Sequence, residues 1–495
     1  MKLTELLGHD ASDIDVADRE IVGISADSRT VRPGFLFAAL PGTRLDGRVF
    51  AAEAVARGAV AILTASTAGL ALPSDGPPAA ILIDPNPHRR VAMMAARFHG
   101  RQPRTVTAVT GTNGKTSVVH FTREIWTALG KPAASLGTLG LITPGGRRTG
   151  ALTTPDPLAL HRDLAGFAAE GIEHVALEAS SHGLDQFRLD GVCVAAAAFT
   201  NLTRDHLDYH GDMARYRAAK DRLFTALLAP GATAVLNADS GEFSRLAGLC
   251  QDSGHPVLSY GAHPIADLRL LARQPEARSQ LLRLDILGQR REQLVHLIGE
   301  FQAMNALAAL GLAIGAGEPV DRASETLSEL TGVPGRLQFV AEHNGGAIIV
   351  DYAHTPDALA AVLQALRPHT NGRLIVLFGA GGDRDPGKRP LMGSVATRLA
   401  DRVYVTDDNP RGEPPAEIRR AILASAPGAI EIGSRRRAIE TAVTELEPGD
   451  VLVVAGKGHE TGQIIGSKTY PFDDVEMARE IAGSGGRSLV LGNGR

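Results

Sequence analysis

The sequence predicts a multidomain α/β protein built on open, largely parallel sheets. Three observations carry this expectation. The chain has 495 residues, too many for one hydrophobic core and enough for about three domains of ordinary size. Short apolar runs alternate with helical stretches, as in parallel strands joined by crossover helices. A glycine-rich loop, residues 110–117, stands between a β-branched run and a helical one, the setting of a phosphate-binding loop.

Composition narrows the class. Hydrophobic residues make up 44% and charged residues 21%, ordinary for a water-soluble globular protein. A net charge of -4 argues against a dedicated nucleic-acid binder, which carries a basic excess. The two cysteines, Cys193 and Cys250, fall in or near apolar stretches and are expected as buried free thiols. The N-terminal residues lack the charged-then-apolar pattern of a signal peptide. No run of about 18 apolar residues is present to span a membrane, so the chain is expected in the cytoplasm.

Taken in order, the first hundred residues show strand-like runs at 22–25, 59–63 and 80–83, with a helical segment at 50–57. Pro33-Gly34 and Pro41-Gly42 mark turns between them. Residues 98–104 read as a linker, which places a first domain at 1–100. A second domain, 101–335, begins with the strand 105–110, the glycine loop and a helix over 117–129. That helix stops at Gly130, before Pro132. Further buried strands are expected at 174–179, 194–199 and 233–237. Glycine and proline break the pattern at 331–336. Beyond lies a third domain, 336–495, with strands at 347–352, 373–378, 402–406 and 451–455, each ending in a polar or glycine-rich turn. The tail from Gly483 is glycine-rich and expected to be mobile.

The candidate chemistry sits at strand ends, where open α/β sheets bind ligands. Gly111 and Gly114 let the backbone of Thr112 and Asn113 curl so that N–H groups meet phosphate oxygens. Lys115 can reach terminal phosphates, the Thr116 hydroxyl suits magnesium, and Ser117 opens the helix. The loop is shorter than the common phosphate-loop pattern, because Val109 occupies its first glycine position. Glu178 lies just inside the end of its strand, a position suited to a magnesium ligand. Ser180, Ser181, His182 and Arg188 follow it. His206 and His210 flank Asp208, but no cysteine stands near enough to favour zinc. Lys220 lies in a helical stretch with Leu223 and Phe224 on an apolar stripe, and from composition it reads as a solvated lysine.

Together these pieces resemble the Mur ligases, the ATP-dependent amide ligases of peptidoglycan stem-peptide synthesis. The resemblance covers nearly the whole chain and rests on separated motifs: DSRTVRPGFLFAALPG, TGTNGKTS, TTPD, EASSHGLDQFR, HLDYHG, YRAAKDRLF, VPGR and DYAHTPDAL. It implies a UDP-binding N-terminal α/β domain, a central P-loop-type ATPase with a parallel sheet, and a Rossmann-like C-terminal domain. The N-terminal motif is most like that of the family branch adding the third stem residue. By resemblance, Ser28 and the turn Thr43, Arg44 and Leu45 would hold the uridine end of a UDP-N-acetylmuramoyl-L-alanyl-D-glutamate substrate. Thr153, Thr154, Ser180, Gln186 and Arg188 would grip its muramoyl dipeptide. Lys115, Thr116, Glu178 and His206 match positions around ATP and two magnesium ions. Lys220 matches the family's N6-carboxylated lysine, a second magnesium ligand, which reverses the solvated reading. Asn305, Arg336, Asp351 and His354 match nucleotide-contacting positions. Gln302 departs from the family's usual asparagine, which puts an adenine-side contact in doubt.

The third domain suggests the incoming amino acid. Arg384 and Arg411 suit carboxylates, while Asp408 and Glu460 suit ammonium groups. Asp408-Asn409-Pro410-Arg411 matches the form that the family associates with meso-diaminopimelate, and Gly456 matches a further contact position. The plainer role for Arg411 is a surface pair with Glu413. L-lysine is the alternative amine, and a folylpolyglutamate synthetase-type ligase the more remote alternative. A monomer is expected, with domain closure about hinges near Arg104 and Arg336.

Overall fold

Strands buried on both faces are rich in apolar and β-branched residues, and the runs picked out on that ground between residues 105 and 237 all form strands. The computed structural model describes residues 1–8, 19–42, 45–72, 79–150, 152–276 and 278–484. The chain packs as two compact units. One comprises residues 1–115, 129–258 and 312–318, and the other comprises 116–128, 259–311 and the residues from 319 onward.

The first unit holds two sheets. The smaller pairs Gly23–Ser25, Phe35–Ala39, Ala59–Thr64 and Ala80–Ile83 in parallel. Phe35–Ala39 has no counterpart in the sequence expectation, where the turn signals Pro33-Gly34 and Pro41-Gly42 that flank it mask its apolar run. Leu36, Ala61 and Leu63 from these strands pack with Leu3, Leu6 and Met94. Helix Pro87–His99 is capped by Asn86, whose side chain accepts from the Arg89 N–H, and it ends at left-handed Gly100. It therefore takes in Phe98 and His99, which the sequence reading had assigned to the linker.

The larger sheet of this unit runs in the order Leu228–Asn237, Val194–Phe199, Thr105–Thr110, His174–Glu178, Ala133–Gly137, Gly140–Thr143, Gly146–Arg148. Its first five strands are parallel, so their carboxyl ends share one edge. Every residue of Thr105–Thr110 and His174–Glu178 is buried. Helix Pro157–Ala169 covers one face with Leu160, Leu164 and Phe167, which pack with Val175 and Leu177. Arg89 reaches Asp190 at 3.1 Å and Arg222 reaches the same carboxylate at 3.1 Å.

In the second unit, Leu268–Pro275, Gln280–Ile286 and Gln289–Val295 form an antiparallel meander that the sequence reading did not identify. A six-stranded sheet follows, in the order Gln338–His343, Gly346–Asp351, Val451–Ala455, Leu374–Phe378, Arg402–Val405, Ile430–Glu431. Only its first pair is antiparallel. Separate cores line its two faces, one around Leu363 and Phe378 and the other around Tyr404 and Ile439.

Both cysteines are free, but Cys193 is exposed, against expectation, because it lies in the turn before its strand. Burial pushes the Cys250 thiol up to about 12. Among the described residues no helix is long and apolar enough to cross a membrane. The glycine-rich tail beyond residue 484 lies outside the described residues.

Candidate functional site

The phosphate loop leaves its strand at Gly111, whose φ is 144°. A Cβ there would stand 1.9 Å from Thr200 Oγ1, so only glycine fits. The strand end at residues 200–203 staples the loop down. Thr200 Oγ1 donates to the Asn113 carbonyl (2.6 Å), and Asn201 accepts from the N–H groups of Thr112 and Asn113 (2.9 Å each). These two N–H groups hold the loop against the neighbouring strand end. Val109, at the missing glycine position, is a fully buried strand residue. Lys115 opens helix Lys115–Ala128, with Thr116 and Ser117 in its first turn. Lys115 Nζ donates to the carbonyls of Gly111 (2.9 Å) and Thr112 (2.8 Å).

Lys220 meets the same loop. It sits in helix Met213–Arg222, whose N-terminus Asp212 caps by accepting from the Arg215 N–H. The side chain is buried, 2% exposed, and Nζ donates to the Gly111 carbonyl at 2.7 Å. Nζ also lies over the Tyr216 ring, 4.5 Å from its centroid, while Tyr216 Oη is 3.1 Å from Thr112 Oγ1. Burial and the neighbouring Lys115 charge bring the Lys220 amine down to about 6. The solvated reading from composition is thus overturned.

Glu178 ends its strand and is buried. Its carboxylate accepts from the Thr138 N–H (2.7 Å) and hydroxyl (3.3 Å). Gly137 makes room for it, since a Cβ there would meet Glu178 Oε1 at 2.2 Å. Thr153 Oγ1 lies 3.2 Å from Thr138 Oγ1, and Thr154 Oγ1 lies 2.7 Å from the Glu178 carbonyl and 2.9 Å from Ser180 Oγ. Arg188 donates to the Thr154 carbonyl (2.7 Å) and to Gln186 Oε1 (2.6 Å). Gln186 in turn donates to Tyr209 Oη (3.1 Å). His206, at φ 52°, begins the short helix Leu207–His210. Its ring lies 4.9 Å from that of His182 and 6.3 Å from that of Tyr216. Burial lowers the pKa of both His182 and His210. Among the described residues no three His, Cys, Asp or Glu side chains gather as a ready metal cage. One carboxylate with hydroxyl neighbours suits magnesium, which completes its shell with water and phosphate oxygens.

The sequence reading missed Thr138, Asn201, Tyr209 and Tyr216. Only Tyr209 and Tyr216 had a signal available, as the tyrosines inside HLDYHG and YRAAKDRLF. Toward the N-terminus, buried Ser28 donates to Glu53 Oε2 at 2.8 Å, and Leu45 is exposed. Thr43 and Arg44 lie outside the described residues.

In the second unit, Asp351 ends its strand and accepts from the N–H groups of Leu337 and Ala353 (2.7 Å each). Burial raises its pKa, against the opposing charge of Arg336. The Arg336 guanidinium stacks 4.4 Å from the Tyr352 ring centroid, and the His354 ring lies 4.7 Å from the same ring. Gln302 donates to the Arg336 carbonyl (3.1 Å) and accepts from Asn305 Nδ2 (3.0 Å).

The loop 408–411 follows strand Arg402–Val405. Asp408 and Asn409 are buried, and Gly456 leaves space for Asp408, since a Cβ would meet Oδ2 at 2.6 Å. Asn409 Nδ2 donates to Glu460 Oε2 at 2.9 Å. After Pro410, Arg411 takes φ 51°, and its guanidinium donates to the Gly382 carbonyl at 2.9 Å. Arg384 donates to the Asp383 carbonyl at 3.4 Å. Glu413 pairs with Arg389 at 2.9 Å, so it is not the partner of Arg411. Lys457, also buried among these loops, was missed because a lysine between two glycines carries no burial signal.

Three family models match the chain in succession: the Mur ligase family catalytic domain over residues 20–99, the Mur ligase middle domain over 109–313, and the Mur ligase glutamate ligase domain over 335–458. A Bradyrhizobium diazoefficiens protein named UDP-N-acetylmuramoyl-L-alanyl-D-glutamate--2,6-diaminopimelate ligase is 52% identical, over 96% of this chain and 98% of that one. A solved structure of a ligase of the same name is 33% identical over 99% of this chain and 100% of its own, with a TM-score of 0.77. The Thermotoga maritima MurF ligase in complex with ADP shares the fold, at 20% identity and a TM-score of 0.62, over 94% of this chain and 97% of its own. With the phosphate loop, the buried lysine and the strand-end loops in place, the chain belongs to the Mur ligase family.

Proposed function

We propose that the chain joins meso-diaminopimelate to the D-glutamate carboxylate of UDP-N-acetylmuramoyl-L-alanyl-D-glutamate, consuming ATP and releasing ADP and phosphate. The observation that carries this reading is the convergence of Lys115 and Lys220 on the carbonyl of Gly111. Full-length relatives at about half identity, named for this reaction, support the choice of substrates.

The glutamate carboxylate oxygen attacks the γ-phosphorus of ATP, ADP leaves, and an acyl phosphate forms. The free amine of diaminopimelate then attacks the acyl carbon, phosphate leaves, and the amide remains. Positioning and charge neutralisation dominate such phosphoryl transfer. Lys115 supplies a fixed cation at the loop. Thr116, Glu178, His206 and carboxylated Lys220 would hold two magnesium ions, which when bound neutralise the phosphoryl oxygens. The depressed amine of Lys220 is what carboxylation needs, since only the neutral form adds carbon dioxide. Arg188, Thr153, Thr154, Ser180 and Gln186 orient the dipeptide, and Ser28 serves the uridine end. Asn305, Arg336, Asp351 and His354 serve the nucleotide. Arg384 and Arg411 pair with the diaminopimelate carboxylates, while Asp408 and Glu460 receive its distal ammonium.

The test offers the chain the UDP-muramoyl dipeptide, ATP and magnesium, with equal diaminopimelate and lysine, and identifies the product by mass spectrometry. A diaminopimelate adduct is expected. A lysine adduct overturns the amine assignment, and no adduct with either overturns the reaction.

A further inference from the structure

Lys457 has no part in the reading above, yet it is the most completely buried cation near the amino-acid loops. It follows strand Val451–Ala455, and its side chain is 0% exposed. An ammonium group has three protons to place, and all three are placed. They point at Asn409 Oδ1 (3.2 Å), Glu460 Oε2 (3.1 Å) and the Gly462 carbonyl (2.5 Å). Asn409 closes the ring by donating to the same Glu460 oxygen at 2.9 Å, and its own Oδ1 also accepts from the Ile464 N–H at 2.9 Å.

Burying an ion pair is a weak source of stability, because desolvation offsets the attraction. What the network does provide is direction. Glu460 Oε2 is taken by two donors, while the side chain as a whole stays 35% exposed. Oε1 takes neither of these bonds and is the oxygen left for a ligand, in a carboxylate held by Lys457 and Asn409. A planar guanidinium would not match these three acceptors, and a neutral side chain would leave Glu460 and Asn409 to rotate.

We propose that Lys457 is a positioning residue for the amino-acid substrate. It locks Asn409 and Glu460 so that the second Glu460 oxygen receives an ammonium group of the incoming diamino acid. This rests on the reading of the same loops given above.

The test is a double-mutant cycle on the full chain: wild type, Lys457→Met, Glu460→Gln and the double variant, each with KM values for diaminopimelate, ATP and the muramoyl dipeptide. Lys457→Met is expected to raise the diaminopimelate KM about tenfold, the loss of one charge-assisted hydrogen bond. The other two KM values should stay within about twofold. Since Lys457 acts through Glu460, the double variant should be no worse than Glu460→Gln alone. An unchanged diaminopimelate KM in Lys457→Met, or additive losses in the double variant, overturns the proposal. If Lys457→Met does not fold, the double variant leaves no unpaired carboxylate. Its comparison with Glu460→Gln then decides, a further rise in KM being the overturning result. If the wild type couples a different amino acid, the substrate reading fails, while the same cycle with that amino acid still decides the role of Lys457.

Discussion

Around the phosphate loop two lysine amines, Lys115 and Lys220, converge on the Gly111 carbonyl, whereas in the second unit the buried Lys457 meets a carboxylate, Glu460, at 3.1 Å. Burial and the like charge of Lys115 push the Lys220 amine toward neutrality; under the proposed function this opens it to carboxylation and the loop to an anionic ligand. Opposite charges in the second unit are already matched, which fixes side chains in one arrangement. Under the proposed function, the phosphate region receives charge and the loops around Asp408 and Glu460 read it. The two should therefore fail differently when altered.

The largest effect is expected at Lys220. Lys220→Ala should lower kcat by about 10^3-fold or more, the scale of losing an electrostatic stabiliser of the transition state, and intact mass should show one added carbon dioxide on wild type alone. A kcat within about tenfold of wild type would erase the functional contrast between the regions. Arg411→Ala comes next, with the diaminopimelate KM raised about 30-fold through the loss of a charged pair and the ATP KM nearly unchanged. Equal changes in both KM values would mean that the second unit does not read the amino acid. Gly111→Ala should cost about 1–3 kcal/mol through overpacking against Thr200 and should weaken ATP more than diaminopimelate; thermal melts and paired KM values check this. A variant as stable as wild type would show that the loop is not held rigidly.

The smallest effect concerns acid stability. Hydrogen bonds from Arg373 hold the Asp450 carboxyl below its usual range despite opposing desolvation. Its folded pKa lies below 3.8, so the pair's contribution is present above that value and lost as pH falls through the folded one. Asp450→Asn should flatten this limb of the stability curve in melts between neutral and acid pH. An unaltered acid limb would show the pair to be idle.

Much of the fold was legible because strands buried on both faces are dense in apolar and β-branched residues; Thr105–Thr110 and Val451–Ala455 match their expected bounds. The meander over Leu268–Val295 was not, since one-sided strands mix leucines with arginines and aspartates. At the site, Gly111, Lys115 and Glu178 were readable from their places at strand ends. Thr138 and Asn201 were not, because each acts through a contact with a residue distant in the chain.

The sequence by itself determined the order of the motifs, the short glycine loop and the family that these define, all matters of local spacing and residue type. Only the tertiary structure decided that Lys220 is buried. Its helix, Met213–Arg222, is rich in charged residues, and the stripe of Tyr216 and Ala219 beside Lys220 is too short for composition to mark the lysine as buried. Burial there comes from the Gly111 loop and the Tyr216 ring packing over the amine. A side chain's solvation, and with it its charge, is set by what folds against it.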